Sequence, residues 1–312
     1  MKKHTNETYD VAIVGGGPAG LNAALVLGRS RRSVLVIDEE LPRNRVTRES
    51  HGFLTRDGIT PAEFRSIAKE QISKYPSVIF ESGIVKSVTG SDEDFHLLLA
   101  GPGAAARSRK ILFATGMKDV LPNIEGLVEV YGTSAFVCPF CDGWELRDKH
   151  ICVIAPNDLN LHFVKMISGW TKYVTLLTNG SQLLSSDQLT DLELHGVHAV
   201  QDEIKRIESI QGYVNLITFR SNAPVKCEGI FFSPTLIQST TFPERLGCEL
   251  SDHGPVVKIV TDPMGRTNVP GVYSAGDAAG APFQLISAAS SVATAAAAIQ
   301  LDLLDVEWKS VQ

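Results

Sequence analysis

Residues 135–145 read AFVCPFCDGWE, and they hold the most concentrated reactive chemistry in the chain. Two residues separate Cys138 from Cys141, so both sulfurs can meet within one small loop, which Pro139 restricts. The thiolate is the nucleophile in thiol–disulfide exchange, and a place near a helix start lowers a cysteine's pKa. Asp142 follows directly, and a carboxyl beside a dithiol can give or take the proton that exchange requires. The competing reading is half of a zinc site, which would need two more ligands at suitable spacing. Cys152, Cys227 and Cys248 stand alone, and His150 and His162 form no paired-histidine pattern. The pair is therefore read as a redox-active disulfide with no metal, and the other three cysteines as small buried hydrophobes.

A second chemical motif lies near the N-terminus. Residues 9–38 read YDVAIVGGGPAGLNAALVLGRSRRSVLVID. The apolar run 11–14 is expected as a buried parallel strand. Gly15, Gly17 and Gly20 then form G-x-G-x-x-G, with Pro18 and Ala19 between the last two. Ala23, Ala24, Leu27 and Gly28 follow at helical spacing, and 34–37 is a second buried strand ending in Asp38. Gly15 makes the tight turn, Gly17 lets backbone approach a pyrophosphate, and Gly20 lets helix and strand pack closely. The helix N-terminus offers N–H groups and a positive dipole end to phosphates. Asp38, in preference to Glu39, is the expected ribose partner. Strand, glycines, helix, strand and acid in this order specify a dinucleotide site far better than the glycines alone.

Shifting the sequence by 140 residues makes the same unit reappear without a gap. ICVI at 151–154 matches VAIV at 11–14, Leu161 matches Leu21, and VTLL at 174–177 matches VLVI at 34–37. The binding residues do not return: Gly15, Gly17 and Gly20 map to Ala155, Asn157 and Asn160, and Asp38 maps to Thr178. No arginine cluster follows Thr178 to hold a 2′-phosphate. This is either a divergent working nicotinamide site or, the favoured reading, a Rossmann-type unit that has lost its nucleotide.

At 312 residues, the length suits two domains of roughly 150 residues each. With 44% hydrophobic and 21% charged residues, the composition is that of a globular protein and excludes collagen, coiled coil and disorder. A net charge of -6 argues against nucleic-acid binding. Five cysteines are too few, and odd in number, for a secreted disulfide scaffold. The polar start MKKHTNETYD shows no targeting pattern, and the alanine-rich stretch 285–301 is read as a buried helix and not a membrane span. A soluble, cytoplasmic protein is expected. The segment 101–108, GPGAAARS, is read as a turn before the strand ILFATG at 111–116.

In this order, G-x-G-x-x-G, Ala114-Thr115-Gly116, C-x-x-C-D and the C-terminal Gly276-Asp277 resemble the low-molecular-weight thioredoxin reductase family over nearly the whole chain. The stretches PRNR (42–45), HGFLTRDG (51–58) and CPFCDGWE look like a subgroup of thioredoxin-reductase-like flavoproteins. The resemblance implies an α/β protein of two Rossmann-like domains, the second inserted into the first. The FAD-binding domain would be residues 1–117 and 247–312. The inserted NAD(P)-binding-like domain would be 118–246, with hinges near 117–123 and 238–246. FAD would lie across Gly15, Gly17, Pro18, Ala19, Gly20, Asp38, Thr115, Gly116, Gly276, Asp277 and Gln284. Cys141 would face the flavin, Cys138 would exchange with an outside disulfide, and Asp142 would donate the proton. His51, His162, Trp144 and Trp170 are read as packing or surface residues, with the segment of His51 passing near the flavin. The family also implies a homodimer with a rotating inserted domain.

Three functions follow. The first is an FAD-dependent oxidoreductase acting on a thioredoxin-like protein disulfide, fed by a donor such as ferredoxin and not by NADPH. The second is a dithiol oxidase that makes a small-molecule disulfide with oxygen as acceptor. The third is a non-enzymatic flavoprotein redox sensor.

Overall fold

The structure is a computed structural model that describes residues 8–101, 103–156, 161–182, 184–251, 254, 256–280 and 282–310. The first unit is β1 (Thr8–Val14), α1 (Pro18–Arg29) and β2 (Val34–Asp38). Its strands pair in parallel from Val11↔Val34 to Val14↔Ile37. Their side chains are buried on both faces, which is why they read as unbroken apolar runs. A loop then leads to α2 (Pro61–Ile72), where the Thr60 hydroxyl accepts the Glu63 N–H at 3.1 Å and caps the helix. β3 (Val78–Ser82) extends the sheet beside β2, and β4 (Val85–Ser91) and β5 (Asp94–Leu99) form an antiparallel pair.

β6 (Ala105–Phe113) returns beside β1. It takes in the second half of the expected 101–108 turn. Its small residues looked like a loop, yet Ala105, Ala106 and Arg107 pair with Leu98, Leu97 and His96 of β5. The tertiary partner outweighs weak local strand propensity.

The chain leaves this sheet through β7 (Met117–Val120), passes α3 (Leu127–Val130), β8 (Ala135–Phe136) and α4 (Pro139–Asp142), and enters the second unit. That unit is β9 (Ile151–Ile154), α5 (Leu161–Ile167) and β10 (Val174–Leu177). β9 and β10 pair in parallel from Ile151↔Val174 to Ile154↔Leu177, the register of the first unit moved by 140 residues. α6 (Ser186–Leu194), β11 (His198–Val200), the antiparallel strands β12 (Ile204–Ile210), β13 (Tyr213–Phe219) and β14 (Val225–Lys226), and then β15 (Gly229–Phe232) follow. The second sheet is parallel throughout, in the order β11-β10-β9-β15-β8.

β16 (Thr235–Gln238) carries the chain back and pairs antiparallel with β7, Met117 opposite Gln238. The two connections between the sheets therefore lie side by side. After α7 (Phe242–Arg245), β17 (Leu250–Ser251) and β18 (Lys258–Ile259), the strand β19 (Val272–Ser274) joins the first sheet beside β6. α8 (Leu285–Lys309) ends the fold. α8 is long and apolar enough to cross a membrane by length and composition, but Ala288, Val292, Ala295, Ala296, Ala298, Ile299 and Leu303 bury one face in the core that holds α1. Burying a residue such as Val292 or Ile299 stabilises the fold by about 1.5–3 kcal/mol each.

Candidate active site between the glycine turn and the cysteine pair

At the carboxyl end of β1 the chain turns at Gly15, with φ +106°, and a Cβ there would overlap the Ala114 carbonyl oxygen. A Cβ on Gly20 would overlap the carbonyl oxygen of Gly15, so helix and strand touch only because that side chain is absent. Gly17 is the N-cap of α1, carries no side-chain cap, and faces open space. Pro18 takes the first helical position, where its missing N–H costs nothing. Gly15, Gly17, Pro18 and Ala19 line a cleft of about 500 Å³ together with Asp38, Thr115, Gly116, Asp277 and Gln284. Gly20 and Gly276 are not in its wall; Gly276 instead sits against Ala19, and its N–H donates to Ser291 Oγ at 3.0 Å.

Two buried polar atoms of residues in this wall have no hydrogen-bond partner: Thr115 Oγ1 and Arg65 Nη1. Orphaned buried groups of this kind are costly unless a bound polar molecule completes them. Arg65, from α2, pairs with the Asp38 carboxylate and holds it at the end of β2. Bare backbone at a helix N-terminus, an anchored acid and unsatisfied donors together fit a dinucleotide such as FAD. Burial pushes the Asp277 carboxyl up to about 6, against the pull of Arg43 and with the repulsion of Asp119.

Cys138, Cys141 and Asp142 line the same cleft. Cys138 and Cys141 form a disulfide with their Cα atoms 5.3 Å apart. Cys138 is the N-cap of α4, Pro139 opens the turn, and the Cys138 carbonyl accepts the N–H groups of Cys141 and Asp142, both at 3.1 Å. Phe140, between the cysteines, is exposed and meets the Trp170 ring edge-on at 5.5 Å, while the exposed Trp144 lies under Arg147 at 4.2 Å. Burial, reinforced by Glu145, pushes Asp142 up to about 7, and His51 pulls the other way. A carboxyl poised there can hold or release a proton near neutral pH.

In the second unit, the described residues at the matching positions differ. The Ala155 N–H donates to Leu177 O at 2.9 Å, just as the Gly15 N–H donates to Ile37 O at 2.8 Å, but Ala155 carries a buried methyl. Thr178 is buried, and its hydroxyl donates to Ser181 O at 2.7 Å within its own turn. Asn157 and Asn160 lie outside the described residues. Cys152, Cys227 and Cys248 are buried and unpaired by disulfide. A hydrogen bond between the thiols of Cys152 and Cys227, together with burial, holds the Cys152 thiol well above its usual range.

Sequence reasoning gave no role to several residues the fold brings here. Arg43 Nη1 is 3.4 Å from Asp119 Oδ1, its Nε is 3.9 Å from Asp277 Oδ2, and the Tyr131 hydroxyl donates to Asp119 at 2.6 Å. Arg43 stands in the PRNR stretch, which marked a subgroup without assigning it a task. His51, read as a packing or surface residue, lines the cleft and faces Glu145. These residues come from four separate segments, and no local spacing connects them.

Comparison with known proteins agrees with this arrangement. The pattern of the family described as "Pyridine nucleotide-disulphide oxidoreductase" matches residues 9–300. The chain is 30% identical over 284 residues to "Thioredoxin reductase tcpT" of Claviceps purpurea, covering 88% of this chain and 87% of that protein. Among solved structures, the one described as "Putative Thioredoxin Reductase TrxB from Bacillus anthracis" superposes with a TM-score of 0.90 at 37% identity, covering 96% of this chain and 99% of that one. An oxidoreductase of Agrobacterium tumefaciens gives a TM-score of 0.90 at 34% identity with the same coverage. The chain therefore belongs to the pyridine nucleotide-disulphide oxidoreductases, in their thioredoxin-reductase-like branch of FAD-binding flavoproteins, and is a disulfide oxidoreductase.

Proposed function

We propose that the chain passes electrons between FAD and a thioredoxin-like protein disulfide through Cys138 and Cys141, with a donor other than a pyridine nucleotide. The observation that carries this is the shared cleft, whose wall includes the glycine turn and the disulfide together. Gly15, Gly17, Thr115, Asp38, Asp277 and Gln284 would hold FAD, which supplies a two-electron partner for the thiol pair. Cys138 is the exchanging sulfur. Its thiolate attacks the partner disulfide, one partner sulfur leaves with the electron pair and a proton, and Cys141 then attacks Cys138. The internal disulfide re-forms and the second partner sulfur leaves as a thiol, so two electrons and two protons pass to the partner. Asp142, which holds a proton up to about pH 7, is the proton donor.

The donor assignment rests on the buried methyl of Ala155 and the self-satisfied hydroxyl of Thr178, where a nucleotide needs bare backbone and an acid. Reduced ferredoxin is the donor favoured for this direction. The same observation favours a second reading, in which a small dithiol charges the pair and oxygen takes the electrons. We also place the chain in the cytoplasm, where its three unpaired thiols stay reduced. We assign it as a homodimer, for which the exposed Ile286, Leu301, Leu304 and Trp308 of α8 offer an apolar surface.

The test is anaerobic stopped-flow reduction of the FAD-loaded protein by NADPH, NADH, reduced ferredoxin or a dithiol, followed as loss of flavin absorbance. Nicotinamides should act at least about a hundredfold more slowly than the working donor, the cost of two or three lost charge-assisted hydrogen bonds. Rapid bleaching by micromolar NADPH would defeat the proposal. Ferredoxin and dithiol as the fast donors separate the two readings.

A further inference from the structure

The loop between β2 and α2 belongs to the first unit, yet it reaches the second. Arg43 meets Asp119, Arg48 Nη1 donates to the Tyr213 hydroxyl at 2.5 Å, and His51 Nε2 lies 3.7 Å from Glu145 Oε1. The His51 side chain is only 18% exposed, and its ring faces three carboxylates. On its own loop, Glu49 Oε2 is 3.7 Å from Nε2 and Asp57 Oδ1 is 3.6 Å from Nδ1. Glu145 sits three residues beyond Asp142 on the segment that carries the disulfide. His51, Cys138, Cys141 and Asp142 line the same cleft. Glu145 strengthens the hold of Asp142 on its proton and His51 weakens it, so the two act on that carboxyl in opposite senses.

We propose that His51 is a positioning residue for the exchange reaction: paired with Glu145, it sets the charge around the Asp142 carboxyl while the disulfide faces the cleft. Because His51 and Glu145 stand on different units, the tuning exists only when those units are apposed. This rests on the reading of Asp142 as proton donor. In the step concerned, a dithiol thiolate attacks one sulfur of the Cys138–Cys141 disulfide and that S–S bond breaks. A mixed disulfide forms, and the departing sulfur takes the electron pair and the proton from Asp142. The second thiol of the dithiol then closes its own disulfide and releases the other cysteine.

The experiment uses the FAD-loaded protein with dithiothreitol as probe, anaerobically, over about pH 5 to 9, with each rate divided by the dithiothreitol thiolate concentration. In the parent protein this normalised rate should fall as Asp142, raised to about 7 by burial, ionises. His51→Gln should move the fall upward by about half a pH unit or more, and Glu145→Gln should move it downward by a similar amount. Asp142→Asn should abolish it. A uniform loss of rate at every pH in His51→Gln, with the fall unmoved, would mean a merely structural role and overturn the proposal. If Asp142→Asn abolishes the fall but neither other variant shifts it, only the His51 proposal fails. If Asp142→Asn keeps the fall, the proton-donor reading fails and takes this proposal with it. Glu145→Gln carries the same test alone where His51→Gln does not fold.

Discussion

The two β-α-β units share one register and differ in sequence at the four positions compared, Gly15, Gly17, Gly20 and Asp38 against Ala155, Asn157, Asn160 and Thr178. Val11 pairs with Val34 as Ile151 pairs with Val174, and the turn after each first strand is fixed by one backbone hydrogen bond, from Gly15 to Ile37 or from Ala155 to Leu177. Scaffold and ligand chemistry are therefore separable. Apolar strands, buried on both faces, place the backbone. Glycines and a terminal acid decide whether anything binds there. In the second unit the place of the acid is taken by Thr178, which turns its hydroxyl back on Ser181. What that unit contributes to the cleft is instead the short α4 ahead of its first strand, with Cys138, Cys141 and Asp142.

The sharpest way to separate the two contributions is to remove one at a time. Cys141→Ser should lower disulfide turnover by about a thousandfold or more, since the pair acts as a unit. The protein should still carry its full complement of FAD, read from its absorbance spectrum. Loss of FAD with the cysteine would mean that the two regions are not independent.

The complementary change has a smaller expected effect. Gly20→Ala puts a methyl into the Gly15 carbonyl and should weaken FAD binding by roughly tenfold to a hundredfold, about 1.4–2.8 kcal/mol. Equilibrium dialysis of the apoprotein would measure it, and the cysteine pair should still form its disulfide, read by alkylation and mass. Ala155→Gly in the second unit should not make NADPH a fast donor, because one glycine restores neither a basic cluster for the 2′-phosphate nor the remaining turn. If that single change did so, the second unit would be a nucleotide site blocked only by a methyl.

Much of this contrast was legible in the sequence because it is local. The glycine turn, the strand pairs and the cysteine pair each lie within about 30 residues, and the 140-residue shift aligns both units directly. The cross-chain contacts were not legible. Arg65 on α2 reaches Asp38, and Arg43 lies between Asp119 and Asp277, residues far apart in sequence and joined only by folding. Neither arginine stands at a spacing that a ligand would impose. The strand within 101–108 was missed for a related reason: small residues carry a weak strand signal, and β5 supplies what they lack.

The smallest effect concerns the two acids that the regions lend to the cleft, Asp277 from the first and Asp142 from the second. Unfolded, both carboxyls titrate near about 3.9. Folded, burial lets Asp277 keep its proton up to about 6 and Asp142 up to about 7. Between those limits the folded state binds more protons than the unfolded one, so stability falls as pH rises. The contribution is complete below about pH 4 and is lost by about pH 6 for Asp277 and about pH 7 for Asp142. Wild-type melting temperature should therefore be lower at pH 8 than a variant lacking either acid would show. Asp142→Asn should flatten the decline as far as pH 7, and Asp277→Asn only as far as pH 6. The two variants should therefore part between about pH 6 and pH 7, at roughly 2–4 °C per kcal/mol. Thermal melts of the FAD-loaded variants at matched ionic strength would measure the two windows. If Asp142→Asn declines as steeply as wild type, the Asp142 carboxyl is already ionised and hydrated in the folded protein. The inserted unit would then supply only sulfur, and the proton for exchange would have to come from the side of the cleft that holds Asp277.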